Sequence, residues 1–481
     1  MSKIQHNKTR MPMQDPEIRI KNFDVVEMGY DIEMAQQESR RCINCKNAKC
    51  IFNCPVEINI PKFIMEIKEG KFDDAYYTML ATNLFPSITG RVCPQEQQCE
   101  LVCVLGIKHE PVGIGFLEKF IGDYGRKRGL KPHTEEITPN GKSIAVVGSG
   151  PAGMSVASDL AQLGYEVTIY EALHKPGGVL MYGIPSFRLP KDIVQYEINH
   201  LQELGVNIYC NTLIGRTITF DELLKKFDAI FIGTGAGLPY FMKIPGEELC
   251  GVYSANEYLT RANLMNAKDF PKYSTPIRIG HKVAVVGGGN VAMDGARVAK
   301  RLGAKDVDIV YRRTIKEMPA RYDEIKHAEE EGIRFNFLTV PVRIIGNENG
   351  WIKELELIKM ELGEPDESGR RRPIPVKDSN YIDKYDTVIM AIGQGPNPLL
   401  PELTPYLKTD KWGRIIVNAD NMAVLELDSK IICAGGDIIG DQAGSGGTVI
   451  AAMGHGKKAT RTIHKYLSDY IDNKQIKIKL F

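Results

Sequence analysis

The sequence lacks the features that mark membrane, secreted or nucleic-acid-binding proteins. Its 481 residues contain no run of 18 or more apolar residues, so no membrane-spanning helix is predicted. Residues 1–8 are polar and lack the apolar segment of a signal peptide. The formal net charge of +1 provides no attraction for nucleic acid or for an acidic membrane surface. We therefore expect a cytoplasmic globular protein of several domains that binds neither nucleic acid nor membrane.

Cysteine is abundant but unevenly distributed. Seven of the ten cysteines fall between residues 42 and 103, and disulfides are not expected in an intracellular protein. Their close spacing, with two Cys-Pro pairs, is typical of ferredoxin-like iron–sulfur ligands. Of the other three, Cys433 lies in an apolar run and is expected to be a buried small hydrophobe. The seven are Cys42, Cys45, Cys50, Cys54, Cys93, Cys99 and Cys103.

Seven cysteines are one too few for two four-iron clusters, which need eight ligands. Either a residue other than cysteine completes the second cluster, or there is one cluster with spare cysteines, or the metal is zinc. Structural zinc prefers two C-x2-C pairs, and this region has only Cys42 and Cys45 at that spacing. Spacing alone leaves the eighth ligand open among Gln95, Glu96, Gln97, Gln98, Glu100, His109, Glu110 and Glu118.

A first glycine-rich turn follows the apolar segment 143–147. The segment 148–153 reads G-x-G-x-x-G, with a small-residue helix and a second strand after it. This arrangement lets bare backbone approach a pyrophosphate at the start of the helix, and Glu171 at the end of the second strand can accept from a ribose hydroxyl. The pattern predicts a site for the ADP half of FAD. Its residues are Gly148, Gly150, Pro151, Ala152, Gly153 and Glu171.

A second turn at 287–292 reads G-x-G-x-x-A, again between a strand and a helix. The strand that follows ends in Arg312 and Arg313 instead of an acid. Guanidinium groups bind a ribose 2′-phosphate, which a carboxylate would repel, so this turn predicts an NADP(H) site. Two exposed surface arginines are the simpler alternative. The predicted contacts in the turn itself are Gly287, Gly289, Asn290 and Val291.

Further small-residue loops are candidates for covering a flavin or are plain turns. The strands at 228–236 and 386–393 share one pattern, which suggests that both belong to the flavin sheet. The arginine run 370–372 lies among turn residues and is expected to be a solvated loop. Residues 1–20 are expected to form a surface arm, and 24–41 has helical character. The loop candidates are Gly178, Val179, Tyr182, Gly183, Thr234, Gly235, Gly393, Gly436, Asp437, Gly447, Thr448 and Val449.

With both turns and the cysteines considered together, the whole chain resembles the small, NADPH-oxidising subunit of bacterial glutamate synthase. It is equally similar to the large subunit of electron-bifurcating NADH-dependent ferredoxin:NADP oxidoreductase. Segments that carry the resemblance include 42–55, 89–94, 181–185, 287–294, 311–313, 317–320 and 434–437. They identify the superfamily without separating its members.

The resemblance implies an α/β fold in which a helical double-[4Fe-4S] domain precedes two Rossmann-like domains for FAD and NADP(H). The implied boundaries are 1–140 for the iron–sulfur domain, 141–250 with 386–481 for the FAD domain, and 251–385 for the NADP(H) domain. It further implies that Glu118 completes the second cluster, as a Gln or Glu does in relatives. One cluster would be held by Cys42, Cys45, Cys50 and Cys103, and the other by Cys54, Cys93, Cys99 and Glu118.

The implied activity is hydride transfer from NADPH to the flavin, followed by single-electron exit through the clusters to a partner subunit. No catalytic acid or base is expected. The partner would be a large glutamate synthase subunit, or a small flavin and [2Fe-2S] subunit working with ferredoxin. Neither nucleotide module contains C-x-x-C, so a disulfide reductase is not expected. The alternative is a non-catalytic wiring subunit with an idle nucleotide site.

Overall fold

A computed structural model of the chain describes residues 5–131, 137–366, 369–427, 429–443 and 446–479, with side chains as far as residue 468. The N-terminal part is helical. Its longest helix, α7, ends where Gly129 adopts a left-handed conformation with φ of 67°. The helices are α1 (Pro16–Arg19), α2 (Ile32–Ser39), α3 (Lys49–Phe52), α4 (Ile60–Lys68), α5 (Phe72–Leu80), α6 (Pro86–Val92) and α7 (Ile114–Arg128).

Helices α6 and α7 pack with their backbones almost in contact. A Cβ atom at Gly90 would lie 2.4 Å from the Lys119 nitrogen, and one at Gly122 would lie 2.5 Å from the Ser87 nitrogen. Only glycine fits at these two positions. The close packing brings Thr89 of α6 within hydrogen-bond distance of Glu118 of α7.

The next segment forms the first parallel sheet. Its apolar strands are buried on both faces, as expected for strands covered by helices on each side. The elements are β1 (Ser143–Val147), α8 (Pro151–Gln162), β2 (Glu166–Tyr170), α9 (Val179–Tyr182), α10 (Lys191–Glu203), β3 (Asn207–Tyr209), α11 (Phe220–Lys226), β4 (Ala229–Ile232) and the short β5 (Leu238–Pro239).

A second sheet has strand order β6-β14-β7-β8-β9 with all pairs parallel, and an antiparallel insertion, β10–β13, precedes β14. Its elements are β6 (Val252–Ser254), α12 (Ala255–Asn263), β7 (Lys282–Val286), α13 (Asn290–Leu302), β8 (Asp306–Tyr311), α14 (Tyr322–Glu330), β9 (Arg334–Phe337), β10 (Thr339–Gly346), β11 (Ile352–Pro365), β12 (Arg371–Pro375), β13 (Tyr381–Lys384) and β14 (Thr387–Met390).

The chain then returns to the first sheet, whose strand order is β16-β17-β4-β1-β2-β3. Strand β17 pairs with β4 in parallel, and Cys433 on it is fully buried, which confirms its predicted role as a core residue. None of the helices in the described part of the chain is both long and apolar enough to span a bilayer. The last elements are β15 (Gln394–Gly395), α15 (Leu399–Leu403), β16 (Ala423–Leu427), β17 (Lys430–Ala434) and α16 (Val449–Lys479).

The assignment of the strand at 386–393 to the flavin sheet was wrong. Strand β14 pairs with β7 and β6 of the second sheet. The repeated pattern marks equivalent positions in two sheets, because each strand is preceded by an aspartate that accepts from the central strand. Asp228 accepts from the Ser143 N–H at 2.9 Å, and Asp386 accepts from the His281 N–H at 2.9 Å.

The N-terminal segment is not a free surface arm. Arg19 is 1% exposed and donates to Glu331 at 2.8 Å, which joins α1 to the second nucleotide-binding domain. The Val26 N–H donates to the Phe187 carbonyl at 3.0 Å. The helix predicted over 24–41 is also shorter, since α2 begins only after Asp31, whose carboxylate caps it.

Candidate functional site

The first glycine-rich turn connects β1 to α8 and leaves room for a ligand. Gly148 has φ of 100°, and a Cβ atom there would lie 2.6 Å from the Gly233 carbonyl oxygen. A Cβ atom at Gly153 would lie 2.0 Å from the Gly148 carbonyl, so this glycine allows the helix to pack on the turn. At Gly150 a Cβ atom would meet nothing within 4 Å and would project into open space. The turn therefore fits a pyrophosphate lying against bare backbone.

Glu171 lies at the end of β2 and faces the same space. It is 6% exposed, and its Oε2 accepts from the Ser149 N–H at 3.0 Å and from the Ser149 hydroxyl. Its Oε1 accepts from the Leu173 N–H at 2.8 Å. These contacts fix the carboxylate beside the turn, where it can accept from a ribose. Sequence reasoning missed Ser149, because any residue is allowed at that position of the motif.

The second turn connects β7 to α13 in the same manner. A Cβ atom at Gly287 would lie 2.2 Å from the Ala391 carbonyl oxygen, whereas one at Gly289 would approach only Pro319, at 3.9 Å. The Asn290 Oδ1 accepts from the Arg321 N–H at 2.9 Å, which ties the start of α13 to the loop before α14. This turn also leaves space for a phosphate group.

The two arginines after β8 differ in their surroundings. Arg312 is exposed, whereas Arg313 is buried and donates to Asp366 at 2.6 Å and to the Arg371 carbonyl at 2.7 Å. Partial burial and then the charge of Arg313 lower the pKa of Arg312, so an anion bound there would relieve repulsion. Arg370 also lines the cavity and adds to this repulsion. The expectation that 370–372 is a solvated loop was wrong in two respects, because Arg370 lines the cavity and Arg371 and Arg372 begin β12, although both of these are exposed as expected.

One large cavity of about 1580 Å³ joins both turns. The structure brings nearly all of the predicted nucleotide-binding residues to its wall, and Gly153 alone among them lies behind it. Those on the wall are Gly148, Gly150, Pro151, Ala152, Glu171, Gly178, Val179, Tyr182, Gly183, Thr234, Gly235, Gly287, Gly289, Asn290, Val291, Arg312, Arg313, Gly393, Gly436, Asp437, Gly447, Thr448 and Val449.

The cysteines form two groups. In the outer group, Cys42, Cys45, Cys50 and Cys103 are partly exposed and close enough to perturb one another. Burial raises the pKa of Cys50 to about 12, and the neighbouring thiols of this group add to the shift. All ten cysteines of the chain are free thiols. The outer group fits a cluster because cluster iron supplies the positive charge that four adjacent thiolates need.

The inner group surrounds a small buried cavity lined by Cys54, Cys93, Cys99 and Glu118. Burial raises the pKa of Glu118 to about 7, although hydrogen bonds from Thr89 and Asn83 oppose the shift. Both of these bonds reach Oε1, at 2.5 and 2.9 Å. Three thiols and one carboxyl group around one cavity are the donor set that the family resemblance implied for the second cluster.

Most other candidates for the eighth ligand are engaged elsewhere or distant. Glu96 pairs with Arg321, Glu100 pairs with Lys8, and His109 contacts His6. Gln95 and Gln98 line the inner cavity, but Gln95 Oε1 accepts from Arg321 at 3.0 Å. Within the described ranges, no three His, Cys, Asp or Glu side chains converge on a point that could hold a single metal ion.

Two arginines near the cavity, with side chains at most 8% exposed, were not singled out from the sequence. Arg188 donates to both oxygens of Asp294, at 2.9 and 2.7 Å, and its Nε lies 2.9 Å from Glu324. Arg321 contacts the loop between Cys93 and Cys99. The side-chain partner Asp294 of Arg188 lies 106 residues away, and the side-chain partners of Arg321 other than Asp323 lie 225 or more residues away, so no local pattern marks these arginines.

Two Rossmann-like units sharing one cavity, with two cysteine groups in a helical domain beside them, define a class of protein. The chain is a two-dinucleotide-binding flavoprotein with an iron–sulfur domain. It belongs to the pyridine nucleotide-disulphide oxidoreductase family, which matches residues 142–456. Residues 19–130 match the 4Fe-4S cluster domain described as dihydropyrimidine dehydrogenase domain II. The predicted fold class and cofactors, FAD, NADP(H) and [4Fe-4S], are thereby confirmed.

Relatives extend over nearly the whole chain. The putative oxidoreductase AegA of Escherichia coli is 35% identical over 97% of this chain and 72% of its own. The NADP(+)-dependent formate dehydrogenase subunit beta of Moorella thermoacetica is 38% identical over 87% of this chain, which spans 60% of that subunit. The glutamate synthase [NADPH] small chain of Escherichia coli is 34% identical over 94% of this chain and 95% of its own.

Solved structures show the same fold. Mycobacterium tuberculosis FprA in complex with NADPH superposes with a TM-score of 0.56, at 21% identity, over 70% of this chain and 86% of its own. The family matches and the relatives show that the chain is a flavin- and iron–sulfur-dependent oxidoreductase that uses NADP(H).

Proposed function

We propose that the chain takes electrons from NADPH and delivers them to a partner subunit through the two cysteine groups. One observation carries this proposal, namely that residues beside the buried inner group line the large cavity, whereas the outer group is partly exposed. Val92 and Pro94, which flank Cys93, line the large cavity. Cys54, Cys93 and Cys99 are buried, whereas the outer cysteines reach the surface. The arrangement supports the order cavity, inner group, outer group, partner.

When bound, FAD accepts a hydride from NADPH and releases its electrons singly to the clusters. The role of this chain's own residues is to bind the two nucleotides and to orient them. The two glycine-rich turns hold the pyrophosphates, Glu171 accepts from the ribose of FAD, and Arg312 selects NADPH by its 2′-phosphate. No titratable side chain is assigned as a catalytic acid or base.

Exposed apolar side chains around the outer group support a partner subunit. Phe52 is 76% exposed and Ile107 is 77% exposed, and both flank outer cysteines in the chain. Contiguous exposed apolar surface often marks an interaction site, and these two side chains would contribute to such a surface. The names of two relatives describe subunits, a small chain and a subunit beta. We infer that the protein works in a hetero-oligomer, in a compartment such as the cytoplasm that keeps its cysteines reduced.

The test is an anaerobic titration of the purified protein with NADPH and then with NADH, with iron and acid-labile sulfide counted on the same sample. Bleaching of the flavin by NADPH, together with about eight irons, is expected for two clusters. A protein with both clusters whose flavin is not bleached would instead be a wiring subunit. Zinc in place of iron would refute the electron route.

Copurification identifies the partner. A very large amidotransferase would indicate glutamate synthase, and a small flavin and [2Fe-2S] subunit would indicate a bifurcating oxidoreductase. The absence of both partners from the purified native complex would refute both assignments.

A further inference from the structure

Arg321 lies where the NADP(H) turn meets the iron–sulfur domain. Its backbone N–H donates to Asn290 Oδ1 at 2.9 Å, and Asn290 opens α13 on the wall of the large cavity. Its guanidinium points the other way and donates to Gln95 Oε1 at 3.0 Å and to Glu96 at 3.1 and 3.2 Å. One residue therefore contacts both the nucleotide turn and the loop that carries Cys93 and Cys99.

This connection has little freedom to move. Arg321 is 6% exposed, and its Nη1 lies 3.5 Å from the Arg91 carbonyl. Gln95 lines the inner cysteine cavity and packs tightly on α7, since a Cβ atom at Gly115 would lie 2.3 Å from its Nε2. A shift of Arg321 would therefore displace Gln95 or leave the buried guanidinium without its partners, which is costly.

The charges on this connection act on the inner group. The guanidinium of Arg321 donates to Gln95, whose side chain lines the inner cavity together with Cys93, so a buried positive charge lies beside the inner group. Glu96, which accepts from Arg321 at 3.1 Å, places a negative charge next to it. A nearby positive charge stabilises an added electron on a bound cluster, and a nearby negative charge opposes it. Arg321 and Glu96 therefore have opposite effects on the ease of reduction at this site.

We propose that Arg321 is a positioning residue that raises the reduction potential of the inner cluster and couples that potential to NADP(H) binding at Asn290. The inference rests on the proposed function, because it takes the inner group to hold a cluster. Nucleotide bound at the start of α13 changes the position of the Arg321 backbone, and the guanidinium carries that change to the cluster loop. By reciprocity, reduction of the cluster alters nucleotide affinity by the same factor.

The test is a potentiometric titration of the holoprotein followed by electron paramagnetic resonance, with and without NADP⁺. Three variants separate charge from structure. Arg321→Gln removes the positive charge and is expected to make the inner cluster about tenfold harder to reduce, which is about 59 mV for a one-electron couple. Glu96→Gln removes the opposing charge and is expected to shift the potential the other way. Arg321→Lys keeps the charge and is expected to leave the potential near that of the native protein.

The outer cluster is the internal control, because its potential is expected to change much less. NADP⁺ is expected to shift the inner potential in the native protein and not in Arg321→Gln. Shifts of the same sign in Arg321→Gln and Glu96→Gln, or equal shifts at both clusters, would overturn the inference. If Arg321→Gln does not fold, Glu96→Gln still decides the sign, since the Glu96 side chain is 31% exposed and tolerates substitution. A native protein without cluster signals would refute the proposed function as well.

Discussion

Replacement of Arg312 by alanine tests how the protein selects its coenzyme. Arg312 is exposed on the cavity wall, and Arg313 beside it is already neutralised by Asp366 at 2.6 Å. The two arginines, which are equivalent in the sequence, are therefore expected to differ in function. We expect Arg312 to bind the 2′-phosphate and Arg313 to hold Asp366 and Arg371 in place.

The size of the effect follows from the contact that is lost. A hydrogen bond to a charged group contributes about 1.5–3 kcal/mol, which corresponds to about 10- to 150-fold in affinity. Arg312→Ala should weaken NADP⁺ binding by that factor. NAD⁺ has no 2′-phosphate, so its affinity should change by less than about threefold, the contribution of a screened surface charge.

Dissociation constants for NADP⁺ and NAD⁺ would be measured on the flavin-containing protein by calorimetry. Arg372→Ala is the matched control, because Arg372 is an exposed arginine of the separate run 370–372 and does not line the cavity. It should leave both constants unchanged. An equal loss for both coenzymes in Arg312→Ala, or no loss for either, would refute the assignment of the 2′-phosphate site.

Three further predictions concern the clusters, the N-terminal segment and pH. Glu118→Ala should lower the iron content from about eight to about four, whereas Glu118→Cys and the exposed control Gln97→Ala should retain it; full iron in Glu118→Ala would exclude this ligand. Arg19→Ala removes charged hydrogen bonds that contribute about 3 kcal/mol, so hydrogen exchange of the Val26 amide should become about 100-fold faster. Lys21→Ala, at an exposed position, is the control. An unchanged exchange rate in Arg19→Ala would contradict this role of Arg19. Burial, followed by the charge of Arg297, lowers the pKa of His327 to about 4, so the folded protein binds fewer protons than the unfolded chain between about pH 4 and 6.5. As the pH falls through this window, the buried neutral His327 should therefore cost the folded protein up to about 3 kcal/mol of unfolding free energy. The decline in melting temperature over the same pH range should be smaller in His327→Gln than in the native protein. Equal declines in the two proteins would contradict the reasoning.

Local motifs allowed much of the site to be predicted from sequence. A glycine-rich turn needs its glycines because neighbouring backbone is too close for a Cβ atom, as at Gly148 and Gly287. Such constraints are contained within a few residues, so they are readable without knowledge of the fold. The seven cysteines between residues 42 and 103 are one short of the eight ligands of two clusters, so they pointed to one cluster ligand of another residue type. The resemblance to known subunits selected Glu118 among the candidates.

Features that depend on distant residues could not be predicted. The strand at 387–390 has the pattern of β4, and only its pairing with β7 shows that it belongs to the other sheet. The neutralisation of Arg313 depends on Asp366, 53 residues away, and the burial of Arg19 depends on Glu331, 312 residues away. A run of arginines has no feature that separates a solvated loop from one that faces a cavity.

The same distant contacts explain how the cofactor sites keep a fixed geometry. Arg19, Arg188 and Arg321 each join the second nucleotide-binding domain to another part of the chain, and the side chain of each is at most 8% exposed. Arg188 and Arg297 hold the pKa of Glu324 at about 2 despite its burial, so this carboxylate remains charged and paired at any physiological pH. Buried ion pairs add little net stability, but breaking one leaves an unpaired buried charge, which is strongly unfavourable. We infer that these pairs define one orientation of the NADP(H) site relative to the inner cysteine group, as transfer between sites at fixed distance requires.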